Sequence, residues 1–207
     1  MAHSPRTGGS APQSPSPDRR TLIVMGVSGS GKTTVARLLA ERLGRPMLEG
    51  DDLHSDQAVA KMSAGRALTD ADRRPWLRRI RAWIVASAAD GAPGVVACSA
   101  LRRSYRDLLR GADDKAGTRA DDEAADGRPG AAATGPAPIL FLHLHVGGAE
   151  LRRRLEVRVG HYMKVQMLGS QLATLEPPSV GEPAITVDAT GSPDAIVDEL
   201  LRRLAEY

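Results

Sequence analysis

Residues Gly26-Val27-Ser28-Gly29-Ser30-Gly31-Lys32-Thr33 read G-x-x-x-x-G-K-[ST], and they restrict the fold of this 207-residue chain more than any other feature. They lie between the apolar run Leu22 to Met25 and the helix-like run Val35 to Leu43. That is the strand, glycine-rich turn and helix order of a phosphate-binding loop. Gly26, Gly29 and Gly31 can take positive φ, and without a Cβ they let backbone N–H groups close around phosphate oxygens. A helix opening near Lys32 turns its unpaired N–H groups and positive dipole end toward the same anion. Lys32 then reaches the β- and γ-phosphates, and the Thr33 hydroxyl holds Mg²⁺. The expected nucleotide contacts run through Gly26, Val27, Ser28, Gly29, Ser30, Gly31, Lys32, Thr33 and Thr34, with ATP or GTP as the nucleotide.

The rest of the chain alternates in the same way. Thr21 to Met25 reads as a buried parallel strand, Thr33 to Leu43 as an amphipathic helix capped by Gly44, and Pro46 to Leu48 as a second strand. A short helix is expected over 56–63. Thr69 with Asp72 forms a capping-box pattern, while Pro75 suits the first position of a longer helix that puts Trp76, Leu77, Ile80, Trp83 and Ile84 in the core. Val95 to Ala97 is the third strand, 102–110 a basic helix, Ile139 to Val146 the fourth strand, and a second basic helix carries Arg152, Arg153, Arg154 and Arg158. Ala184 to Val187 is the fifth strand, and Ser192-Pro193 opens the last helix. Five strands alternating with helices predict an α/β fold: a five-stranded parallel sheet with helices on both faces, as in P-loop NTPases. Residues 1–20, rich in Ser, Pro and Gly, read as a disordered leader, and 111–137 as a solvated insertion. The segment 159–183, bounded by Gly160 and Pro177-Pro178, reads as a mobile lid.

Charge and cysteine content narrow the function classes. The net charge is only +3, and three Arg against one Asp in the first twenty residues account for much of it. No basic stripe interleaved with aromatics is present, so a nucleic-acid partner is not expected. One cysteine, Cys98, excludes an internal disulfide framework and fits a reducing, cytoplasmic setting. No apolar run has the length of a membrane span. His143 and His145 alternate along a strand and read as structural, not as zinc ligands with Cys98.

Many P-loop ATPases hold magnesium with an Asp at the end of a later strand. Here Val95-Val96-Ala97 ends in Cys98-Ser99, and the nearest acids are Glu49, Asp51 and Asp52 after the second strand. Asp51 there could hold the metal through water, or take the proton of a substrate hydroxyl. Either role suits a small-molecule kinase.

Several motifs beyond the loop carry a resemblance. Glu49-Gly-Asp51-Asp-Leu-His54, Lys61-Met, Leu68-Thr-Asp70-Ala-Asp72-Arg73-Arg-Pro75-Trp76-Leu, Cys98-Ser-Ala-Leu101-Arg-Arg-Ser-Tyr105-Arg106, Gly160-His161-Tyr-Met-Lys164-Val-Gln166 and Leu175-Glu176-Pro177 resemble the P-loop gluconokinases of the thermoresistant type over about residues 21 to 206. The resemblance implies a nucleoside-monophosphate-kinase-like fold with a mobile lid, commonly dimeric. It also implies Mg²⁺-ATP-dependent phosphorylation of D-gluconate at the 6-hydroxyl. Gluconate is a carboxylate with a row of hydroxyls, so its pocket needs a cation and hydrogen-bonding groups. Arg73 and Arg106 are the favoured candidates, with Lys61 and His54 behind them. Related kinases imply that Arg158 closes on the phosphates from the lid and that Arg154 lies nearer the adenine. Two departures stand out: the insertion at 111–137 exceeds the family's usual short connection, and Val159 stands where members often carry Lys. A shikimate-like or nucleoside kinase shares the loop and lid and differs between residues 50 and 110. A nucleotide-switch ATPase would turn over ATP without an acceptor.

Overall fold

The computed structural model describes residues 19–112, 138–157 and 162–207, and for 162–167 the backbone alone. The leader read over 1–20 and the insertion read over 111–137 thus fall almost wholly outside the described residues. Five strands form one sheet: β1 (Thr21–Met25), β2 (Met47–Glu49), β3 (Val95–Ala97), β4 (Ile139–His145) and β5 (Ala184–Asp188). Their spatial order is β2-β3-β1-β4-β5, and every pairing is parallel. Around the sheet lie α1 (Lys32–Leu43), α2 (Asp56–Ser63), α3 (Asp70–Ala89), α4 (Arg103–Arg110), α5 (Gly148–Val157), α6 (Tyr162–Thr174) and α7 (Pro193–Glu206).

Strand alternation sorts the core into two layers. Leu22, Val24, Leu140, Leu142 and Val187 face α1, α5 and α7 through Val35, Leu39, Leu151, Ile196 and Leu200. Ile23, Met25, Val96 and Phe141 face α3 and α4 through Trp76, Ile80, Ile84, Tyr105 and Leu109. Each central strand is therefore buried on both faces, which is why β1 and β4 read as near-continuous apolar runs. Trp83 is only half-buried, packed at the edge of the second layer. His143 is buried at 2% exposure beside Thr186 and its pKa is pushed down to about 4, first by burial and then by His145, so it sits neutral in the core. No described helix is long and apolar enough to cross a membrane.

Two elements differ from the sequence reading. The Thr69 capping box forms as expected, with Asp72 N donating to Thr69 Oγ1 at 3.2 Å and Thr69 N to Asp72 Oδ2 at 2.9 Å. The helix it opens then runs unbroken to Ala89, so Pro75 lies inside α3 and does not start a second helix. Pro75 sits in the second turn, where a missing N–H costs one ladder bond and the cap plus the buried face outweigh it. Second, within the stretch read as a mobile lid, 159–183, lies a helix absent from the sequence reading: α6 occupies Tyr162–Thr174, and its Leu168 is 4% exposed in the core.

The sheet order sets the site. From β1 the chain crosses to one side, to β2, whereas from its neighbour β4 it passes to the other side, to β5. The crevice outside the carboxyl end of β1 is the switch point at which open α/β sheets bind ligands.

Candidate active site

At that crevice β1 runs into the glycine-rich loop. Gly26, Gly29 and Gly31 have φ of 146°, 86° and 93°. A Cβ on Gly26 would stand 2.9 Å from Ser30 Oγ and 3.0 Å from the Leu144 carbonyl, so the close approach as well as the dihedral requires glycine. Gly31 is the N-cap of α1 and has no side chain with which to cap it. The first-turn N–H groups are thus left to an anion. Lys32 Nζ folds back onto the Val27 carbonyl at 3.2 Å. Thr33 is exposed on the first turn, with Thr34 half-buried beside it.

The loop separates two grooves. On one side Gly29, Gly31 and Thr34 line a cleft of about 340 Å³ together with Arg154, Gly191 and Pro193. Arg154 is fixed at its wall, donating from Nε to Glu150 at 2.8 Å and from NH2 to the carbonyls of Ala189 (2.8 Å) and Thr190 (3.1 Å). Hydrogen bonds from Arg153 and Arg154 in turn hold the Glu150 carboxyl down at about 2. On the other side Ser28 and Lys32 line a cavity of about 170 Å³ with Asp51, His54, Arg73 and Gln171. One cleft fits a nucleotide laid along the loop, and the other an acceptor at its phosphoryl end.

The acceptor cavity is built from the ends of β2 and β3 and the start of α3. After β2 a 3-10 turn, Gly50–Leu53, carries Asp51, whose side chain is 67% exposed. A Cβ on Gly50 would lie 2.6 Å from the Ala97 carbonyl, so only glycine lets the turn approach β3. The Gly50 carbonyl accepts from Trp76 Nε1 at 2.6 Å, which ties the turn to α3. Trp76 also carries His54, stacked at 4.3 Å between centroids and 15° between planes. Burial, the larger effect, outweighs nearby Asp51 and pushes the His54 pKa down, so the ring is neutral at pH 7. Its Nε2 lies 3.8 Å from Asp51 Oδ1, and its Nδ1 is buried with no partner among the described residues.

Arg73 is held into the cavity by α3 and α4. Its NH1 donates to the Leu68 carbonyl and, at 3.4 Å, to the Tyr105 hydroxyl. The Tyr105 hydroxyl donates to Asp70 Oδ1, and Asp70 Oδ2 accepts from Arg102 at 2.7 Å. Both hydrogen bonds use NH1, as does the 3.9 Å approach to Asp70 Oδ1, so among the described residues Nε and NH2 are left to a ligand. Tyr105→Phe is expected to loosen Arg73 and raise the acceptor KM severalfold with kcat little changed, which steady-state kinetics at saturating ATP would read. A fall in kcat at constant KM would count against this brace.

Two of the expected acceptor contacts are engaged within the protein instead. Lys61 Nζ donates to Asp72 Oδ1 at 2.6 Å, joining α2 to the cap of α3, and the acceptor cavity is lined by its neighbour Met62 instead. Arg106 is 0% exposed: Nε and NH2 donate to Glu182 at 2.7 and 3.0 Å, and NH1 to the carbonyls of Ala100 and Glu176 at 3.2 and 3.0 Å. It is an internal clamp with no guanidinium edge left for a substrate. Arg158 lies outside the described residues, as do the side chains of Lys164 and Gln166. Conversely, Gln171, Tyr105 and the Trp76 shelf belong to the site without having been singled out as site residues. Sequence offers a signal for the Trp76–His54 pair only through two separate motifs, Glu49 to His54 and Leu68 to Leu77, and none for Gln171.

Comparison with known proteins agrees with this geometry. A protein-family profile described as an AAA domain matches residues 22–178. A gluconokinase of Gluconobacter oxydans is 45% identical over 183 residues, which is 88% of this chain and 90% of that protein. The chain belongs to the gluconokinase family. The thermoresistant gluconokinase of Escherichia coli is 34% identical over 82% of this chain and 84% of its own. A crystal structure of a gluconokinase from Sinorhizobium meliloti superposes with a TM-score of 0.71 at 39% identity, covering 91% of this chain and 93% of that one. The family match over residues 22–178 takes in the acceptor cavity of this gluconokinase-family chain as well as its loop.

Proposed function

We propose that this protein transfers the γ-phosphoryl group of ATP to the 6-hydroxyl of D-gluconate, giving 6-phospho-D-gluconate and ADP. One observation carries the reading. A single phosphate-binding loop serves two grooves, and the smaller one holds a cation, Arg73, and an exposed carboxylate, Asp51, beside Lys32. Arg73 suits the gluconate carboxylate, because a guanidinium fork pairs with it in two hydrogen bonds. His54, neutral, and Gln171 suit the hydroxyl row. Asp51 accepts the proton of the 6-hydroxyl as its oxygen bonds to the γ-phosphorus and the bond to the β–γ bridging oxygen breaks, leaving ADP. Lys32 and the α1 N-terminus stabilise charge on the transferring group, and we assign Arg158 the same task from the lid. The exposed Thr33 hydroxyl and Asp51 carboxylate are hard oxygen donors of the kind Mg²⁺ takes, so these residues would hold the ion. Bound there, Mg²⁺ neutralises phosphate charge. The proposal includes a cytoplasmic setting and a homodimer, whose mass light scattering would read directly.

ADP release with Mg·ATP against D-gluconate, other aldonates, shikimate, nucleosides and no acceptor tests it. Turnover that depends on gluconate, with a product heavier by one phosphoryl group, is the expected result. Acceptor-independent hydrolysis would move the protein to the switch class, and turnover on shikimate or a nucleoside alone would replace the substrate. Asp51→Asn should lower kcat by about 10²–10⁴-fold even at saturating Mg²⁺. Recovery at high Mg²⁺ would give Asp51 to the metal and not to the proton.

A further inference from the structure

The backbone N–H of Ser28, inside the phosphate-binding loop, donates to Oε1 of Gln171 at 2.6 Å across 143 residues of sequence. A backbone N–H can only donate, so it is the amide oxygen of Gln171 that faces the loop. Ser28 and Gln171 both line the acceptor cavity, with Ser170 and Thr174 from the same turns of α6. Gly29 and Gly31, one and three residues further on, line the nucleotide groove. The contact therefore marks the place where the loop passes from one groove to the other. Its helix is anchored independently of this contact: Leu168, three residues earlier, is buried in the core, and Leu175, four residues on, packs against it. Movement of the Gln171 side chain alone can make or break this link.

Loop N–H groups of this kind are phosphate donors, and a phosphoryl oxygen is a charged acceptor that outcompetes a neutral amide oxygen for the same hydrogen. A carboxamide released from Ser28 has one acceptor and two donors, a match for neighbouring hydroxyls of a polyol. We propose that Gln171 is a positioning residue that couples the two grooves: a phosphoryl oxygen at Ser28 N–H displaces its amide oxygen, and the freed amide then hydrogen-bonds the acceptor's hydroxyls. The nucleotide half stands on the loop contact alone. The acceptor half rests on the gluconate reading above.

The test separates the two halves. With no acceptor present, binding of a non-hydrolysable ATP analogue with Mg²⁺ is measured by calorimetry. Gln171→Ala removes the competitor, and the analogue should bind about two- to tenfold tighter. Gln171→Glu keeps the shape but offers Ser28 a charged acceptor and repels phosphate, so binding should weaken tenfold or more at pH 8, the loss shrinking as pH falls toward the carboxyl range. Gluconate binding is then measured with and without the analogue. The analogue should tighten gluconate in the parent protein, and that coupling should collapse in Gln171→Ala, whose gluconate KM rises while kcat changes little. Unchanged or weaker analogue binding by Gln171→Ala overturns the displacement, whatever the acceptor. Coupling retained in Gln171→Ala overturns the acceptor half. If the parent protein binds no gluconate at all, the substrate assignment and the acceptor half both fail, and the analogue series still decides the displacement.

Discussion

Replacing Lys32 by Ala is expected to lower kcat by about 10²–10³-fold while leaving the fold intact. The ammonium belongs to the first residue of α1, half-exposed, donates to the Val27 carbonyl and lines the acceptor cavity. The glycines that shape the loop remain in the variant, and so do the N–H groups of the helix start. Nucleotide should therefore still bind, more weakly, and what disappears is positive charge at the phosphoryl end where the transition state spreads its negative charge. Single-turnover phosphoryl transfer with saturating Mg·ATP and gluconate measures this. Circular dichroism and the thermal midpoint should match the parent protein. Activity within tenfold of the parent would mean that the reacting phosphate lies elsewhere.

The second large effect concerns stability. Arg106 and Glu182 have side chains 1% and 2% exposed and form a two-pronged ion pair. Arg106→Leu leaves Glu182 charged and buried without its partner, and should cost about 3–5 kcal/mol in urea unfolding. Arg106→Leu with Glu182→Leu should recover a good part of that loss, because two apolar groups of similar bulk carry no desolvation penalty. A single variant as stable as the parent would dismiss the clamp. Acid should act on the same pair. The hydrogen bonds from Arg106, the largest effect, and those from Ser179 hold the Glu182 carboxyl down at about 2, against an ordinary value near 4.5. The stabilisation is thus fully present above about pH 4.5 and is lost as pH falls toward 2. The clamp also bears on function. Arg106 NH1 holds the carbonyl of Ala100, a non-glycine residue at φ 42° that lines the acceptor cavity. Left-handed backbone at alanine persists only where its surroundings enforce it, so loss of Arg106 should blunt gluconate binding as a secondary effect.

Arg106 also marks how far sequence can be read. On α4 the pattern Arg103, Arg106, Arg110 is that of a solvated basic face, and nothing local says that the middle member turns inward. Its carboxylate partner is 76 residues away, just ahead of the fifth strand. The Lys61 pairing was hidden for the same reason: its partner Asp72 is legible as a cap and not as an ion-pair member. By contrast β1 and β3 fall where the sequence reading puts them, to the residue. Unbroken apolar runs next to glycine-rich turns admit few other structures. The loop, Asp51 and Arg73 were legible because strand ends and motif spacing place them. Helix α6 was not legible. Gly160, Gly169 and Pro177-Pro178 punctuate its segment, and one of its ties, the Gln171 contact to Ser28, is polar and spans 143 residues. Pro75 misled because its usual preference for a helix start is only a preference, and the Thr69 cap six residues earlier had already started one.

The attachment points of residues 113–137 have a consequence for how this scaffold can change. Helix α4 ends at Gly111, and β4 is entered through Pro138, whose carbonyl accepts from Thr21 N at the amino end of β1. The chain thus leaves and rejoins the sheet at the rim opposite the grooves, where the strands begin. Length added at this junction is spliced into the far side of the molecule from the chemistry. A lineage can lengthen or trim the chain there, and an engineer can graft a reporter into it, without redrawing either groove.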